Sequence, residues 1–529
     1  MKNSEYSNNL QYNSCISRGI CSVNPRTSAL QNVLGLYIHL CAKYCIKLQE
    51  KNALNDNIKN FLLNTIAISV YNPEFTEDCF MEAITELKEL MPEIINTYNN
   101  IFDKDEFNGE DIASSDIFKR CDDIIEAIRF GEQIFKNNVE KTSDEIRNLF
   151  KIMLITAKSL SLNLLDLESY GVKNDEIFLN LLTLLNTINP KNSDTEMLKS
   201  IIYKSANYNT ELIGLLHNEQ EKRYGKQRTS PVTYTTTPSK AVLVVGSNIR
   251  ELENILEAFQ NTDIDVYTHD DMMLAHTFPK FGEYKNLKGQ YGHGVENCLI
   301  DFATFPGPII LTKHSLHNIE NLYRGRLYTT DSNFYKGVIR IEKEDFYEVI
   351  ESANSSKGFK KGKVCETVEI GYDYEKSIEL IEHKLELKKY RKIVVLGLKD
   401  YNSERKEYFE NLIKLISDDI LIISFSYNLE RDNLLYFNAC FDSYAVVRIT
   451  MYLNKFNLPL TIFLPKCGRN TITEMIHFSK FNNHTVYMNK CEPIMIEPSI
   501  LNTLNKTFKI KLIDSPRVDA KDINELPSE

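Results

Sequence analysis

Cysteines are the side chains in this sequence with the clearest capacity for redox or metal chemistry. The 529 residues include 11 of them, an odd number that is typical of a reducing compartment rather than of a disulfide framework. Cys41 and Cys45 share the apolar face of one helical segment, which assigns them to a core. Cys15 and Cys21 could contribute to an iron–sulfur site, but a cluster usually takes four cysteines and none precedes this pair.

Histidine and carboxylate side chains are concentrated after one apolar run. The residues concerned are His269, Asp270, Asp271 and His276. Because ligands of α/β proteins bind outside the carboxyl ends of the strands, this place is a candidate for ligand or metal binding. The seven-residue spacing of the two histidines across a strand-to-helix turn matches no tight chelate, and helix capping by Asp270 or Asp271 is the alternative interpretation.

Two common catalytic patterns are incomplete. The turn at Gly246 follows an apolar run, but the three-glycine fingerprint of dinucleotide binding is missing, and so is the P-loop. His314 and Ser315 are adjacent, yet no nucleophile-elbow glycines surround the serine, and adjacency alone does not make a catalytic pair. The sequence therefore predicts neither a dinucleotide-binding enzyme nor a serine hydrolase.

The elements that must position these residues divide into a helical part and an α/β part. From residue 27 to about residue 216, apolar residues recur at spacings of three and four, which predicts helices. The clearest helical segments are Ala29–Leu48, Thr76–Thr97, Ser143–Leu160 and Asp194–Leu216. We therefore predict an N-terminal all-α helical bundle domain over residues 1–217.

A polar segment, residues 218–240, follows and is predicted to be a linker, since its basic residues give way to threonines, serine and prolines. Beyond it, short apolar runs alternate with helical segments, which predicts two α/β (Rossmann-like, parallel sheet) domains at 241–375 and 376–529. The predicted strands are Ala241–Val245, Ile264–Tyr267, Gly307–Thr312, Gly337–Ile341, Lys392–Leu396, Ile420–Ser424, Leu460–Leu464, Thr485–Met488 and Phe508–Leu512.

Composition narrows the classes of partner and the compartment. The formal net charge is −11, and outside the linker there is no basic block to contact a phosphate backbone, so we expect no nucleic-acid partner. No apolar run approaches the roughly 20 residues that a membrane-spanning helix requires, so we expect no membrane association. The N-terminal residues look like neither a secretory signal nor a transit peptide, which predicts a cytoplasmic protein.

A series of short segments, in order along the whole chain, resembles the hybrid cluster protein family (prismane proteins, hydroxylamine reductases). The N-terminal part of the match is Cys15, Cys21 and Pro25, followed by Ala29–Gln31. The central and C-terminal matches are Val266–His269, Gly289–Gly292, Phe305–Ile309, Arg326–Thr330 and Asn438–Tyr444. The resemblance implies a helical domain followed by two α/β domains, as in the distantly similar carbon monoxide dehydrogenases.

The resemblance also implies two iron–sulfur centres. One is a cubane cluster held by four N-terminal cysteines, of which Cys15 and Cys21 match the last two, while Asn3 and Tyr6 stand in place of the first two. The other is an iron–sulfur–oxygen cluster where the three domains meet, held by one His, two Glu and four Cys. Its open iron reduces hydroxylamine or nitric oxide. Thiolates suit the soft iron, and carboxylate and imidazole suit its oxygen-bearing part.

Most ligand positions of that second cluster carry other residues in this chain. Only Cys440 is unchanged, and Asp271 is a shortened form of one of the two glutamates. Ser247 stands in place of the His, and Gly468, with Cys467 beside it, stands in place of the second Glu. The other three Cys are replaced by Ser315, Leu398 and Ser426. Because a Ser hydroxyl is not soft enough to replace a thiolate and Leu ligates nothing, this set is too small to hold a four-iron centre.

Two functions remain open. The first is a cluster-free, catalytically inactive paralogue without cofactor, acting as a scaffold for an unknown protein or small-molecule partner. The alternative is an oxidoreductase of the hydroxylamine or nitric oxide reductase type. It would use an iron–sulfur cluster or a single metal ion at Asp271, Cys440 and Cys467, with His314 or His269 nearby. A monomer or a homodimer is compatible with both.

Overall fold

The chain forms a helical domain followed by two α/β domains, as predicted. The computed structural model describes residues 25–69, 76–102, 121–189, 194–292, 298–313, 320–331, 337–397, 403–439, 441–464, 468–489 and 498–525. None of the helices in these ranges is long and apolar enough to cross a membrane.

The helical domain packs around its first helix. Its helices are α1 (Pro25–Glu50), α2 (Asp56–Ile68), α3 (Glu77–Ile101), α4 (Ile124–Lys141), α5 (Asp144–Glu168), α6 (Asp175–Thr187) and α7 (Thr195–Tyr224). Helix α1 packs against α3, α4 and α6, and α5 packs against α2 and α7. Cys41 and Cys45 are fully buried in α1, which confirms their assignment to the core.

Side-chain caps explain where several of these helices begin. Thr76, Ser143 and Asp194 each accept a hydrogen bond from a main-chain N–H of the first turn of α3, α5 and α7, respectively. Acidic residues follow each cap, as the partial positive charge of a helix N-terminus favours. The starts predicted at Thr76, Ser143 and Asp194 are thus confirmed to within one residue.

The first α/β domain contains a six-stranded parallel sheet of order β4–β3–β2–β5–β6–β7. Its strands are β2 (Lys240–Val245), β3 (Ile264–His269), β4 (Leu287–Gln290), β5 (Ile309–Leu311), β6 (Leu327–Thr329) and β7 (Ile339–Arg340). The helices on it are α8 (Ile249–Phe259), α9 (Cys298–Thr304) and α10 (Tyr347–Ser355). Both faces of β2 are buried, as the uninterrupted apolar run of a central parallel strand requires.

The second α/β domain repeats this architecture with sheet order β11–β10–β9–β12–β13–β14, again all parallel. Its strands are β9 (Lys392–Leu396), β10 (Ile420–Ser424), β11 (Leu434–Tyr436), β12 (Leu460–Leu464), β13 (His484–Met488) and β14 (Lys511–Leu512). Its helices are α11 (Tyr374–Leu387), α12 (Ser403–Leu415), α13 (Ser443–Leu453), α14 (Thr471–Ser479), α15 (Pro498–Phe508) and α16 (Pro516–Asn524).

The segment predicted as a linker has more structure than its composition indicated. Helix α7 continues to Tyr224, and β1 (Ser230–Thr233) pairs antiparallel with β8 (Thr367–Ile370), which lies some 140 residues away in sequence. Residues 218–240 therefore contain the end of a helix and a paired strand, while their role as a linker between domains stays a prediction. The strand forms because a distant partner supplies its hydrogen bonds, which local composition cannot reveal. The domain boundaries themselves remain predictions.

Candidate functional site

The described ligand positions of the implied cluster lie at the carboxyl ends of parallel strands. Ser247 follows β2 and Asp271 follows β3 in the first sheet, and Ser426 and Gly468 follow β10 and β12 in the second. Such edges are where α/β proteins bind ligands. The other positions, Asn3, Tyr6, Cys15, Cys21, Ser315, Leu398, Cys440 and Cys467, together with His314, fall outside the described residues.

Asp166, on the last turn of α5, joins all three domains beside two of these positions. Its Oδ2 accepts a hydrogen bond from the Arg469 guanidinium at 2.5 Å, and its Oδ1 accepts one from Asn248 Nδ2 at 3.2 Å. Asn248 is next to Ser247, and Arg469 is next to Gly468. The neighbours of two positions to which the resemblance assigns ligands, Ser247 and Gly468, therefore bind the same carboxylate of the helical domain.

Further polar contacts hold the loop after β12 against the helical domain. Ser159 Oγ donates to the main-chain oxygen of Arg469 at 2.5 Å. Asn163 Nδ2 donates to Asn470 Oδ1 at 2.9 Å, and Asn209 Nδ2 donates to Thr473 Oγ1 at 2.8 Å. Asn163 and Asn209 are fully buried, so each bond replaces solvation that folding removed.

Ser426 stands where the resemblance places a cysteine ligand, and its hydroxyl is already used. The side chain is buried and donates a short hydrogen bond to the main-chain oxygen of Gly397, after β9. The hydroxyl thus ties the ends of two neighbouring strands together. Serine is nearly isosteric with cysteine, so the strand end accommodates it without a cavity.

The histidines after β3 bind separate partners within the first α/β domain. His269 is fully buried, and its Nε2 lies 3.1 Å from Asp301 Oδ2. His276 Nε2 lies 2.8 Å from Thr268 Oγ1, and burial lowers the pKa of His276 to about 4. The two imidazoles therefore do not converge on one ion, and neither bonds to Asp271 in the described contacts.

The helix-capping interpretation of Asp270 and Asp271 is wrong. A 3₁₀ helix begins at Asp270, and its N-cap residue is His269, whose side chain makes no capping hydrogen bond. Asp270 itself adopts a left-handed conformation with φ of 60°, a conformation that Asp tolerates better than most residues. Asp271 lies within this short helix and is half-buried.

A second charged group at the same sheet edge was missed in the sequence. Glu251 is buried on α8 and accepts hydrogen bonds from Thr330 Oγ1 at 2.6 Å and from the main-chain N–H of Lys313 at 2.9 Å. Burial raises the pKa of Glu251, and the charge of Lys313 opposes that rise. Thr330 and Lys313 lie 79 and 62 positions from Glu251 in sequence, so no local sequence pattern predicts these contacts.

Lys158, on α5, faces the first α/β domain. Burial lowers the pKa of Lys158 to about 7, and the Asp331 carboxylate, just beyond β6, partly opposes that shift. Asp331 is 1% exposed. A lysine with a lowered pKa and an arginine, Arg469, thus both project from their domains toward the junction.

The described residues do not fit the iron–sulfur–oxygen cluster that the resemblance implies. Ser247 and Ser426 offer hydroxyls, Gly468 offers no side chain and Asp271 offers one carboxylate, whereas the cluster needs imidazole, thiolates and two carboxylates. The Asp166 carboxylate, beside two of these positions, is bound to a guanidinium. Among the described residues, no group of three or more His, Cys, Asp or Glu side chains is arranged to hold a metal ion.

Comparison with known proteins supports the same fold. The chain matches the model of the Prismane/CO dehydrogenase family over residues 11–431. It is 24% identical to a hydroxylamine reductase of Thermodesulfovibrio yellowstonii over 97% of this chain and 98% of that protein. It is 23% identical to a hydroxylamine reductase of Escherichia coli, over 96% of each.

One solved structure is also similar. It describes NiZn[Fe4S4] and NiNi[Fe4S4] clusters in the alpha subunits of acetyl-CoA synthase/carbon monoxide dehydrogenase, with a TM-score of 0.45 and 11% identity, over 95% of this chain and 83% of that one.

A helical domain followed by two parallel-sheet α/β domains is the architecture of this protein. The chain belongs to the Prismane/CO dehydrogenase family, since the family model spans most of it. The resemblance to hydroxylamine reductases inferred from short segments is thereby confirmed.

Proposed function

We propose that this protein is a member of the family that holds no iron–sulfur–oxygen cluster at its domain junction and acts as a binding scaffold for a protein or small-molecule partner. It would then lack the hydroxylamine reductase activity for which its relatives are named. The alternative is retention of a smaller metal site that includes Asp271, Cys440 and Cys467.

The observation that carries this proposal is the contact set of Asp166. Beside the positions of two lost ligands, Asn248 and Arg469 each bond to this one carboxylate. A direct polar tie between three domains provides the cohesion that shared metal ligands would otherwise contribute. Because Arg469 is always charged and lies 2.5 Å from Asp166 Oδ2, that carboxylate is already paired and is not a free ligand for iron.

Ligand chemistry gives separate support. Of the seven positions, Cys440 alone keeps its residue, and Asp271 keeps a carboxylate. Neutral hydroxyls do not replace thiolates around iron, and the Ser426 hydroxyl already donates to the main chain. The family fold would therefore be retained while the chemistry of the junction changes.

The test is metal and sulfide analysis of protein purified without oxygen. The Escherichia coli relative, expressed and purified in the same way, is the matched control, since it reports whether the host can assemble the cluster. We expect this chain to contain less than about a tenth of the control's iron and labile sulfide, with no visible absorption and no hydroxylamine reduction.

Two results would contradict the proposal. Stoichiometric iron and sulfide with turnover of hydroxylamine would make the chain an active reductase. One equivalent of a single metal, lost in the double variant Cys440→Ala and Cys467→Ala, would favour the mononuclear alternative.

A further inference from the structure

A small polar cavity lies between the C-terminal end of the helical domain and the start of the second α/β domain. Its volume is about 80 Å³. Glu221 lines it from α7, Tyr372 from the segment before α11, Tyr374 from the first residue of α11, and Arg448 from α13. None of these side chains belongs to the ligand positions discussed above, so the cavity is a separate feature of the fold.

Two opposite charges face this cavity without touching each other. The Arg448 guanidinium stacks on the ring of Tyr374, 3.5 Å from its centroid, and forms no ion pair among the described residues. Glu221 Oε1 lies 3.4 Å from His217 Nε2 and accepts a hydrogen bond from the main-chain N–H of Gln227 at 3.3 Å. The hydrogen bond from His217 holds the pKa of Glu221 below its usual value. The two charges influence each other across the gap, since Glu221 helps raise the pKa of Arg448.

A buried hydroxyl also lines the cavity and has no acceptor. Tyr372 is 3% exposed, and its hydroxyl hydrogen meets no acceptor among the described residues. Burial raises the pKa of Tyr372, with Arg448 acting in the opposite direction. An unsatisfied buried donor is destabilising, so an acceptor in the cavity would be stabilising.

The volume limits what the acceptor can be. One water needs about 10–15 Å³ of such space, so 80 Å³ accommodates several waters or one small polar molecule. The remaining charged pair that lines the cavity, Lys226 and Glu375, is already joined at 2.9 Å and exposed at the rim.

We propose that this cavity binds a small zwitterion of the glycine type. The carboxylate accepts hydrogen bonds from Arg448 and from the Tyr372 hydroxyl, which matches the preference of guanidinium for carboxylate. The ammonium group contacts the Glu221 carboxylate at the other side of the gap. A zwitterion satisfies both separated charges at once, whereas a simple anion or a simple cation satisfies one. This inference goes beyond the proposed function, since it holds whether or not the junction carries metal.

Ligand-observed NMR that measures the binding of glycine to the full chain tests this proposal. Acetate and methylammonium supply the two halves of the zwitterion separately. We expect saturable binding of glycine in the millimolar range, at least fivefold tighter than that of either half. Iron content is measured on the same preparation, so failure of this inference is distinguished from failure of the proposed function.

Two variants assign the binding to this cavity. Tyr372→Phe removes the hydroxyl and keeps the ring, and we expect glycine affinity to fall about fivefold, the equivalent of one neutral hydrogen bond. Lys222→Ala, at an exposed position on the same helix, is the matched control and should leave affinity unchanged. A site with a dissociation constant in the millimolar range would be nearly saturated by about 100 mM glycine. The proposal is overturned if no glycine binds at that concentration, if glycine and acetate bind with equal affinity, or if Tyr372→Phe leaves the affinity unchanged.

Discussion

Asp166 connects the three domains through the hydrogen bonds of one side chain. It lies beside two positions where the family resemblance places ligands, and it bonds to one neighbour of each. Its side chain is 13% exposed and that of Arg469 is 26% exposed, so the pair is screened from water more than a surface ion pair is. Partly buried charge pairs are costly to break on one side, because the other charge remains without a partner.

Removal of this charge should weaken the junction. We expect Asp166→Asn to lower the free energy of unfolding by about 2 kcal/mol, because the Arg469 guanidinium then faces a neutral amide instead of a carboxylate. Urea unfolding followed by circular dichroism measures the change. Asp56→Asn is the matched control, because Asp56 and Lys173 form an exposed pair that water and salt screen, so its loss should have a much smaller effect. A larger effect of the control than of Asp166→Asn would contradict this role.

A buried acid on α14 should make stability depend on pH. Glu474 is 2% exposed, its Oε1 has no hydrogen-bond partner among the described residues, and burial raises the pKa of Glu474 to about 8. The folded chain therefore holds a proton that the unfolded chain releases near pH 4.5. This contribution is fully present below pH 4.5 and is lost as pH rises toward 8.

Glu474→Gln removes this ionisation and keeps the shape of the protonated acid. We expect the variant to be more stable than the parent chain at pH 8 by a few kcal/mol, and to be closer to it at pH 5. Thermal unfolding between pH 5 and 8 measures the difference. The same substitution at the exposed Glu348 should show no such trend, and parallel curves for Glu474→Gln and the parent chain would refute the assignment.

At the scale of elements, close approach between strands limits which residues fit. Gly307 precedes β5, and a Cβ atom there would stand 2.0 Å from the main-chain oxygen of Ala241 in β2. No real Cβ contact is that short, so the backbone would have to move. The missing side chain at Gly307 thus allows β5 to pair with β2 at the centre of the first sheet.

Gly307→Ala should therefore destabilise the first α/β domain by about 1–3 kcal/mol through overpacking. Gly282→Ala is the matched control, because a Cβ at Gly282 meets nothing within 4 Å. The measurement is the midpoint of thermal unfolding for both variants. Equal midpoints would show that β5 can shift to accept the methyl group at no cost.

For the whole molecule, the junction would bind a cluster only if its entire ligand set were present. The substitutions that recreate that set are Ser247→His, Asp271→Glu, Ser315→Cys, Leu398→Cys, Ser426→Cys and Gly468→Glu, with Cys440 retained. A Cβ at Gly468 meets only Thr471 Oγ1, at 3.6 Å, so a side chain has room there. Fewer ligands leave iron sites open to water and exchange.

We expect the variant with all six substitutions to contain at least about ten times as much iron and labile sulfide as the parent chain. A matched variant with Ser315 and Ser426 left unchanged lacks two thiolates and should remain near the level of the parent. Iron in the parent equal to that in the sixfold variant would mean that the natural residues already suffice, and it would contradict the proposed function.

The family, the order of the domains and much of the secondary structure were determined by the sequence alone. Apolar runs identified β9, β10 and β12 at their observed bounds, because buried parallel strands are continuous in apolar residues. Helix caps were equally local signals. The strands β4, β6 and β11 were missed because each has only three or four residues, too few for a pattern. Phe508, predicted in a strand, ends helix α15.

The contacts of the junction were decided only by the tertiary structure. Gly468 and Ser247 could be recognised as lost ligand positions from the resemblance, but nothing near Asp166 in sequence predicts that it binds Arg469, 303 residues away. The pairing of β1 with β8 and the gap between Glu221 and Arg448 also depend on residues that are far apart in sequence. Local chemistry fixes what a short segment can become, whereas contacts between distant charges and strand edges arise only when the domains pack together.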